Sequence, residues 1–280
     1  KVKQNMKLRH RNVRFLNKRE NLNSGTIVKA KLLQNGTDFN MIQMPGKMIH
    51  TQTVAVQDFV SYSLRDYEKP ARLAKEGMLP PKLAQMMINF TALVTGSTDF
   101  KGKTLYDPFC GSGTVLGEGL IKGAHVIGSD LDPKAIDAAE KNLDWLQKKG
   151  LTPEKIRKKI FEKDAQEITK EDFPIIIDMI VSETYLGPPC HNRVPAEQIK
   201  EIQTELMPLY QKTFERLNEI LNPGASVVMA FPIHYYNGHE MPLPHLAKQL
   251  QELGYKHHKS LTYHRRDQVV GREILILEKK

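Results

Sequence analysis

The sequence predicts a doubly wound, Rossmann-like α/β sheet of seven strands over residues 62–280, preceded by a small, basic, β-rich element over residues 1–61. Three observations carry that expectation. Residues 105–132, LYDPFCGSGTVLGEGLIKGAHVIGSDLD, read without a break as strand, glycine turn, helix, second strand and acidic end. Downstream, apolar runs of strand length alternate with segments of helical periodicity, the pattern of a parallel sheet covered on both faces. The chain then closes on two further strand-like runs joined by a short basic turn.

In chain order, residues 1–61 hold strand-like runs at 26–33, 39–44 and 51–56, separated by the Asn35-Gly36 and Pro45-Gly46 turns. This element begins with Lys and has few large apolar residues, which fits the end of a longer N-terminal domain. Pro80-Pro81, followed by Leu83, Met86, Met87 and Phe90, predicts a proline-started amphipathic helix. Leu105 and Tyr106 end the first sheet strand, and Gly111 and Gly113 let the backbone turn tightly into a helix that begins near Thr114. Asp130 closes the next strand. It stands close to the interval at which a nucleotide-binding α/β unit sets a carboxylate against ribose hydroxyls.

Asp132-Pro133 caps and starts a helix with Ala135, Ile136, Ala139, Leu143 and Leu146 on one face, ending at Gly150. Residues 156–161 read as a strand, with Asp164-Ala165 just beyond it. Residues 175–181 suit a buried central strand that delivers SETYLGPP, residues 182–189, to the same crevice. Helical spacing runs over residues 195–221, with a break expected at Pro208. A fifth strand follows at 226–231, then the cluster His234-Tyr235-Tyr236, a helix over 244–253, and closing strands at 255–263 and 273–278 joined by Arg265-Arg266-Asp267-Gln268.

Charge is unevenly placed. Residues 1–31 contain ten Lys and Arg against the single acid Glu20, so this segment alone carries the formal net charge of +9. A basic arm on a neutral remainder suits a polyanionic partner, because lysines and arginines that neutralise phosphates release counterions. A solvated tail fits the same composition. The two cysteines, Cys110 and Cys190, cannot build a disulfide framework, and no apolar run reaches the length of a membrane span or follows the basic N-terminus as a secretory segment. A reducing, cytoplasmic setting is expected. The histidines show no HxxxH or mixed Cys/His spacing, and no metal site is expected.

Neither GxGxxG nor GxxxxGK[ST] occurs. Residues 107–114, DPFCGSGT, instead resemble motif I of class I S-adenosylmethionine (SAM) methyltransferases, in the variant that methylates exocyclic amines of nucleic-acid bases. Arg65-Asp66, Pro70, the run GMLPPKLA from Gly77 to Ala84, and Asn89 are similar to the segment before motif I in the THUMP-linked tRNA guanosine-N2 methyltransferases, an archaeal and eukaryotic family acting on a D-arm guanosine. The resemblance implies SAM as cofactor and S-adenosylhomocysteine as product. Pro80 and Lys82 would then open the helix packed against the methionine end. Asp107, Phe109, Gly111 and Gly113 would form the cradle, Asp130 and Leu131 would meet the ribose, and Asp164 and Ala165 the adenine. On the residues alone, Asp164 reads equally as a surface acid.

By position SETYLGPP is motif IV, and it departs from the family's Asp or Asn, Pro, Pro, aromatic pattern. Glu183 takes the acidic position, Tyr185 stands one place early, and Pro188-Pro189 arrive late. An exocyclic amine has its lone pair delocalised into the ring, so hydrogen-bond acceptors must raise its nucleophilicity and align it with the methyl. Glu183 would be such an acceptor and Tyr185 a stacking face, the two catalytic candidates. The implied partners are tRNA or another structured RNA, held through the basic N-terminal segment, and a small activating protein subunit. A DNA amine as substrate, or a SAM-binding RNA module inactive without its partner, are the alternatives that this loop leaves open.

Overall fold

The structure, a computed structural model, describes residues 23–36, 38–72, 79–173, 175–189, 194–265 and 268–280. The basic arm over residues 1–22, together with Gly77, Met78, Cys190, Arg266 and Asp267, lies outside the described residues. The chain divides into two compact units, Lys1–Tyr67 and Glu68–Lys280.

The first unit corrects one sequence expectation. Residues 26–33, read as a strand, contain helix α1 (Ser24–Lys29). Asn23 precedes it as an N-cap, its side-chain oxygen accepting the Thr26 N–H at 2.9 Å, and this local hydrogen bond outweighs the strand propensity of Thr26-Ile27-Val28. Strands β1 (Phe39–Met44) and β2 (Lys47–Gln52) pair antiparallel across the Pro45-Gly46 turn, with Gly46 at φ +74°. The second strand thus starts and ends earlier than the 51–56 run expected for it. Helix α2 (Phe59–Tyr67) follows.

In the second unit, α3 (Pro81–Phe90) is started by Pro80-Pro81 as the sequence predicts, and a short α4 (Ala92–Thr95) extends it. The sheet comprises β3 (Thr104–Asp107), β4 (His125–Asp130), β5 (Lys158–Glu162), β6 (Met179–Glu183), β7 (Ser226–Tyr236), β8 (His239–Met241), β9 (Tyr255–Tyr263) and β10 (Val270–Lys279). Its seven-strand path runs β5-β4-β3-β6-β7-β10-β9, with β8 hairpinned onto β7. Strands β3 to β7 are parallel, and β10 inserts antiparallel between β7 and β9. Because the chain steps outward from β3 to β5 and then returns to the other side of β3, the direction of winding reverses between β3 and β6. The ends of these strands frame the crevice where such sheets bind ligands.

Each face of the sheet is closed by helices, so residues alternate between two cores along every strand. Tyr106, Ile127, Ile180, Val227, Met229, Phe231 and Leu275 pack with α7 (Ala196–Ile220) and α8 (Leu246–Glu252). Leu105, Val126, Met179, Val181, Val228, Ala230 and Ile274 pack on the other face with α3, α5 (Thr114–Ile121) and α6 (Pro133–Lys148). Strand β6 begins later than the 175–181 run suggests. Ile176 is exposed, and Asp178 is occupied by the Thr104 N–H (2.8 Å) and Lys103 (3.3 Å), so pairing with β3 starts at Met179 and puts Glu183 at the strand end.

The helix over residues 195–221 is not broken at Pro208. Pro208 falls on the exposed side of α7, while Ile199, Ile202, Leu206, Tyr210, Phe214 and Leu217 form one buried stripe along it. The missing N–H therefore leaves only the solvent-facing Thr204 carbonyl without its helical donor, and packing on the inner face carries the helix through. Replacing Pro208 with Ala restores that donor, and the expected gain is about 1–3 kcal/mol of unfolding free energy. A urea melt checks this as a higher midpoint at unchanged slope; a midpoint at or below the wild-type value contradicts it.

Candidate active site

Three neighbouring parallel strands, β4, β3 and β6, each end on a carboxylate: Asp130, Asp107 and Glu183. Each is held by different means. Asp130 accepts the Gly111 N–H on Oδ2 at 2.8 Å and the Asp132 N–H on Oδ1 at 3.0 Å. These bonds tie the strand end to the glycine turn and still leave each oxygen an acceptor position. Burial raises the Asp130 carboxyl above its ordinary value against the pull of those N–H donors.

Asp107 is 1% exposed and accepts both the Phe109 N–H (3.1 Å) and the Ser182 hydroxyl (2.6 Å) on Oδ1. The second bond joins the end of β3 to the end of β6, 75 residues apart in sequence. Burial pushes the Asp107 carboxyl up to about 7, opposed by its two donors and reinforced by the Asp130 and Glu183 charges. Glu183 pairs through Oε1 with Nε of Arg272, which is itself 4% exposed. Burial raises the Glu183 carboxyl and Arg272 opposes the rise.

The glycine turn is built for close approach. Gly111 (φ +49°) and Gly113 (φ +80°) occupy the left-handed region. At Gly111 an added Cβ would meet no atom within 4 Å, so the turn faces open space there. At Gly113 the same atom would stand 3.2–3.3 Å from Ala139, which is how α5 and α6 come together. The turn is braced from behind by Asn142 of α6, whose Nδ2 donates to the Ser112 carbonyl (2.9 Å) and the Ala71 carbonyl (3.0 Å) while Oδ1 accepts the Ala71 N–H (3.0 Å). Lys69 reaches the Ser112 and Thr114 hydroxyls, both at 3.3 Å. Cys110 is buried, and burial raises its thiol, so it offers no thiolate.

The remaining candidates fall around this edge. Leu131 is exposed just beyond Asp130, and Phe109 is partly buried against the core. Asp164 turns on itself, Oδ1 accepting the Gln166 N–H at 2.8 Å, next to the buried Ala165. This loop lies beside β4, since the Lys163 N–H donates to the Asp130 carbonyl at 3.0 Å. Pro80 and the exposed Lys82 open α3, which packs on α5. Tyr185 is half-exposed past the end of β6, its carbonyl accepting the Tyr210 hydroxyl at 2.6 Å.

Two backbone features aim the loop that carries Tyr185. The Thr184 N–H and hydroxyl both donate to the Ala230 carbonyl at 3.0 Å. The next residue of β7 facing that edge is Pro232, which has no N–H, so the parallel ladder stops and the chain leaves the sheet. Sequence reasoning missed Ser182, Asn142 and Arg272 as contributors. Asn142 and Arg272 carried a signal, a polar residue on the apolar face of α6 and a cation inside the apolar run VGREILIL.

This strand order, with β10 inserted antiparallel beside β7 and the acidic strand ends over a glycine turn, is the architecture of the class I SAM-dependent methyltransferases. The chain belongs to the family described as rRNA methyltransferase AviRa, which it matches over residues 70–218, just over half its length. Among curated proteins it is 27% identical over 159 residues to the tRNA (guanine(10)-N2)-dimethyltransferase of Methanothermobacter thermautotrophicus, covering 57% of this chain and 40% of that one. It is also 27% identical over 171 residues to the protein of the same name from Methanocaldococcus jannaschii, covering 60% and 40%. The matched segment therefore spans about 40% of the length of these relatives. Among solved structures, the SAM-bound magnesium protoporphyrin IX methyltransferase of Synechocystis PCC 6803 superposes with a TM-score of 0.50 at 14% identity, over 81% of this chain and all of that one, a likeness of fold.

The raised Asp107 carboxyl has a consequence for stability. Between its unfolded value near 4 and about 7, the folded protein holds a proton that the unfolded chain has released. Its contribution to stability therefore falls as pH rises through that window, and the whole penalty is present above about 7. In Asp107→Asn the amide oxygen can still accept both hydrogen bonds and nothing titrates. Urea unfolding between about pH 5 and about pH 8 is expected to show a smaller loss of stability for the variant than for the wild type. Equal losses contradict the assignment.

Proposed function

We propose that this chain is the catalytic domain of an RNA methyltransferase that moves a methyl group from SAM to an exocyclic base amine of tRNA, the N2 of a guanosine. The single observation that carries the reading is the Ser182–Asp107 hydrogen bond, which locks the glycine turn and the SETYLGPP loop into one edge of the sheet. The family match and the names of the two archaeal relatives support RNA, and the relatives support tRNA.

The residues fit SAM. Gly111 faces open space, and Asp130 has an acceptor position on each oxygen for the ribose hydroxyls. Leu131 would cover the ribose, and Asp164 and Ala165 would border the adenine beside it. Phe109, Gly113, Pro80 and Lys82 would line the way to the methionine end. When bound, SAM supplies an electrophilic methyl on a sulfonium, and the cradle's task is to hold that methyl toward the end of β6.

Glu183 and Tyr185 would hold the acceptor. Tyr185, half-exposed on an anchored backbone, offers its ring to the base, a contact worth about 1–3 kcal/mol. Glu183 accepts one hydrogen of the amine, raising the nitrogen's nucleophilicity and fixing its line of approach. With SAM bound, the new C–N bond would form as the C–S bond broke, its electron pair staying on sulfur. The proton that nitrogen then sheds passes to water. No covalent enzyme adduct is formed. The basic segment, ten Lys and Arg within residues 1–31, would add salt-dependent affinity for the RNA backbone, and a small protein subunit is a further partner in this reading.

Incubation with SAM and either unmodified tRNA or duplex DNA, followed by mass mapping of the product nucleoside, tests the reading. N2-methylguanosine from tRNA is the expected product. Methyl-deoxyadenosine or methyl-deoxycytidine from DNA overturns it, and transfer only after a second protein is added assigns the chain a partner-dependent role. Glu183→Ala is expected to lose about 100-fold or more in turnover with SAM affinity little changed, whereas Asp130→Ala weakens SAM binding itself. Unchanged turnover in Glu183→Ala removes that residue from the reaction.

A further inference from the structure

We infer that Arg272, on the last strand, is a positioning residue for methyl transfer: its part-buried ion pair fixes the Glu183 carboxylate in one orientation and leaves Oε2 as the oxygen presented to the acceptor amine. This rests on the reading of Glu183 given above and extends it to a residue 89 positions further along the chain.

The geometry is specific. Glu183 ends β6 and Arg272 lies on β10, with β7 running between them. Opposite Glu183 on β7 stands Ala230, and opposite Arg272 stands Pro232. Both are small, so the arginine side chain can cross the width of a strand to reach the carboxylate. Its place along β10 is on the face that also carries Ile274 and Ile276, the same face to which Val181 of β6 contributes. A cation on an otherwise apolar strand face, 4% exposed, is costly to bury unless it is paired. Its partner here is Oε1, and among the described residues Oε2 has none. A part-buried carboxylate held on one oxygen by a buried guanidinium keeps that oxygen turned from substrate, so the other oxygen's direction is set by the scaffold.

Burial alone favours the protonated acid, which would turn an acceptor into a donor. Arg272 opposes that shift and favours the ionised form. The other charge acting on this site from a neighbouring strand is Asp107 of β3, whose ionisation works against that of Glu183. Strand β7 contributes no charge at the two opposed positions, Ala230 and Pro232. His234, two residues further, is 1% exposed, neither ring nitrogen has a partner among the described residues, and burial lowers its pKa toward the neutral form.

The test compares Arg272→Met, Arg272→Lys and the double variant Glu183→Gln/Arg272→Met. Glu183 is followed directly by titrating its carboxyl carbon in 13C-glutamate-labelled protein, assigned with Glu183→Gln. Its midpoint in Arg272→Met is expected to move up by at least about one unit. Methyl transfer to unmodified tRNA is followed in parallel across the same pH range. Arg272→Met is expected to lose activity at least tenfold at its acid end, and the double variant, whose amide oxygen accepts without titrating, to recover there. Arg272→Lys keeps the charge but not the planar fork, so its pH profile stays near wild type while turnover falls. SAM affinity, by calorimetry, is expected to stay within threefold throughout. An unmoved Glu183 midpoint in Arg272→Met overturns the inference, as does a double variant no better than Arg272→Met at acid pH. If Arg272→Met does not fold, the same decision falls to Arg272→Lys, where wild-type turnover overturns it. A wild-type protein that methylates no tRNA, with the Glu183 midpoint still shifted by Arg272→Met, defeats the substrate reading and leaves the ion pair's effect on Glu183 standing.

Discussion

Three like charges at one edge of a sheet are the constraint on which this structure turns. Asp130, Asp107 and Glu183 stand at the ends of adjacent parallel strands, where burial and mutual repulsion both oppose ionisation. The chain resolves the conflict in three ways. Backbone N–H groups of the glycine turn and of Asp132 serve Asp130, a hydroxyl and an N–H serve Asp107, and a buried guanidinium serves Glu183. Each solution also fixes a piece of backbone or a side chain, so the same bonds that make the charges tolerable shape the crevice. The Ser182–Asp107 bond joins the donor side to the acceptor side, and the stop at Pro232 releases the acceptor loop from the sheet.

Much of this was legible in the sequence because it is locally encoded. The glycine turn, the proline-started α3, the Asp132 cap of α6 and the acid closing β4 each depend on a few consecutive residues, and all lie where the pattern puts them. Errors arose where a local signal met a competing one. Thr26-Ile27-Val28 favours a strand by composition, but Asn23 caps a helix there. Pro208 is a helix breaker in isolation, yet on the solvent side of a long, well-packed helix it weakens the helix without breaking it. The role of Arg272 was hidden for another reason, although its place in VGREILIL was a signal. Its partner is 89 residues away, and only the insertion of β10 beside β7 brings the two within reach.

The irregular SETYLGPP loop reads differently once its surroundings are known. An Asp or Asn in the acidic place would present a short acceptor close to the backbone. A glutamate is one carbon longer and more mobile, and in this chain the extra reach is taken up by a fixed cation across β7. The tyrosine that follows is steadied through its carbonyl by Tyr210 of α7, so both residues proposed to meet the base are anchored from behind. The departure from the usual tetrapeptide and the presence of an arginine in an apolar strand are thus two parts of one arrangement.

For these residues to act as described, the methyl donor must lie across the ends of β3 and β4, facing Glu183. A crystal structure with S-adenosylhomocysteine tests this directly. The expected result is a nucleoside seated over Gly111 and Gly113, both ribose hydroxyls on Asp130, and the sulfur turned toward the Glu183 carboxylate with Arg272 still on Oε1. A ligand bound elsewhere, or one whose sulfur points away from the end of β6, would contradict it.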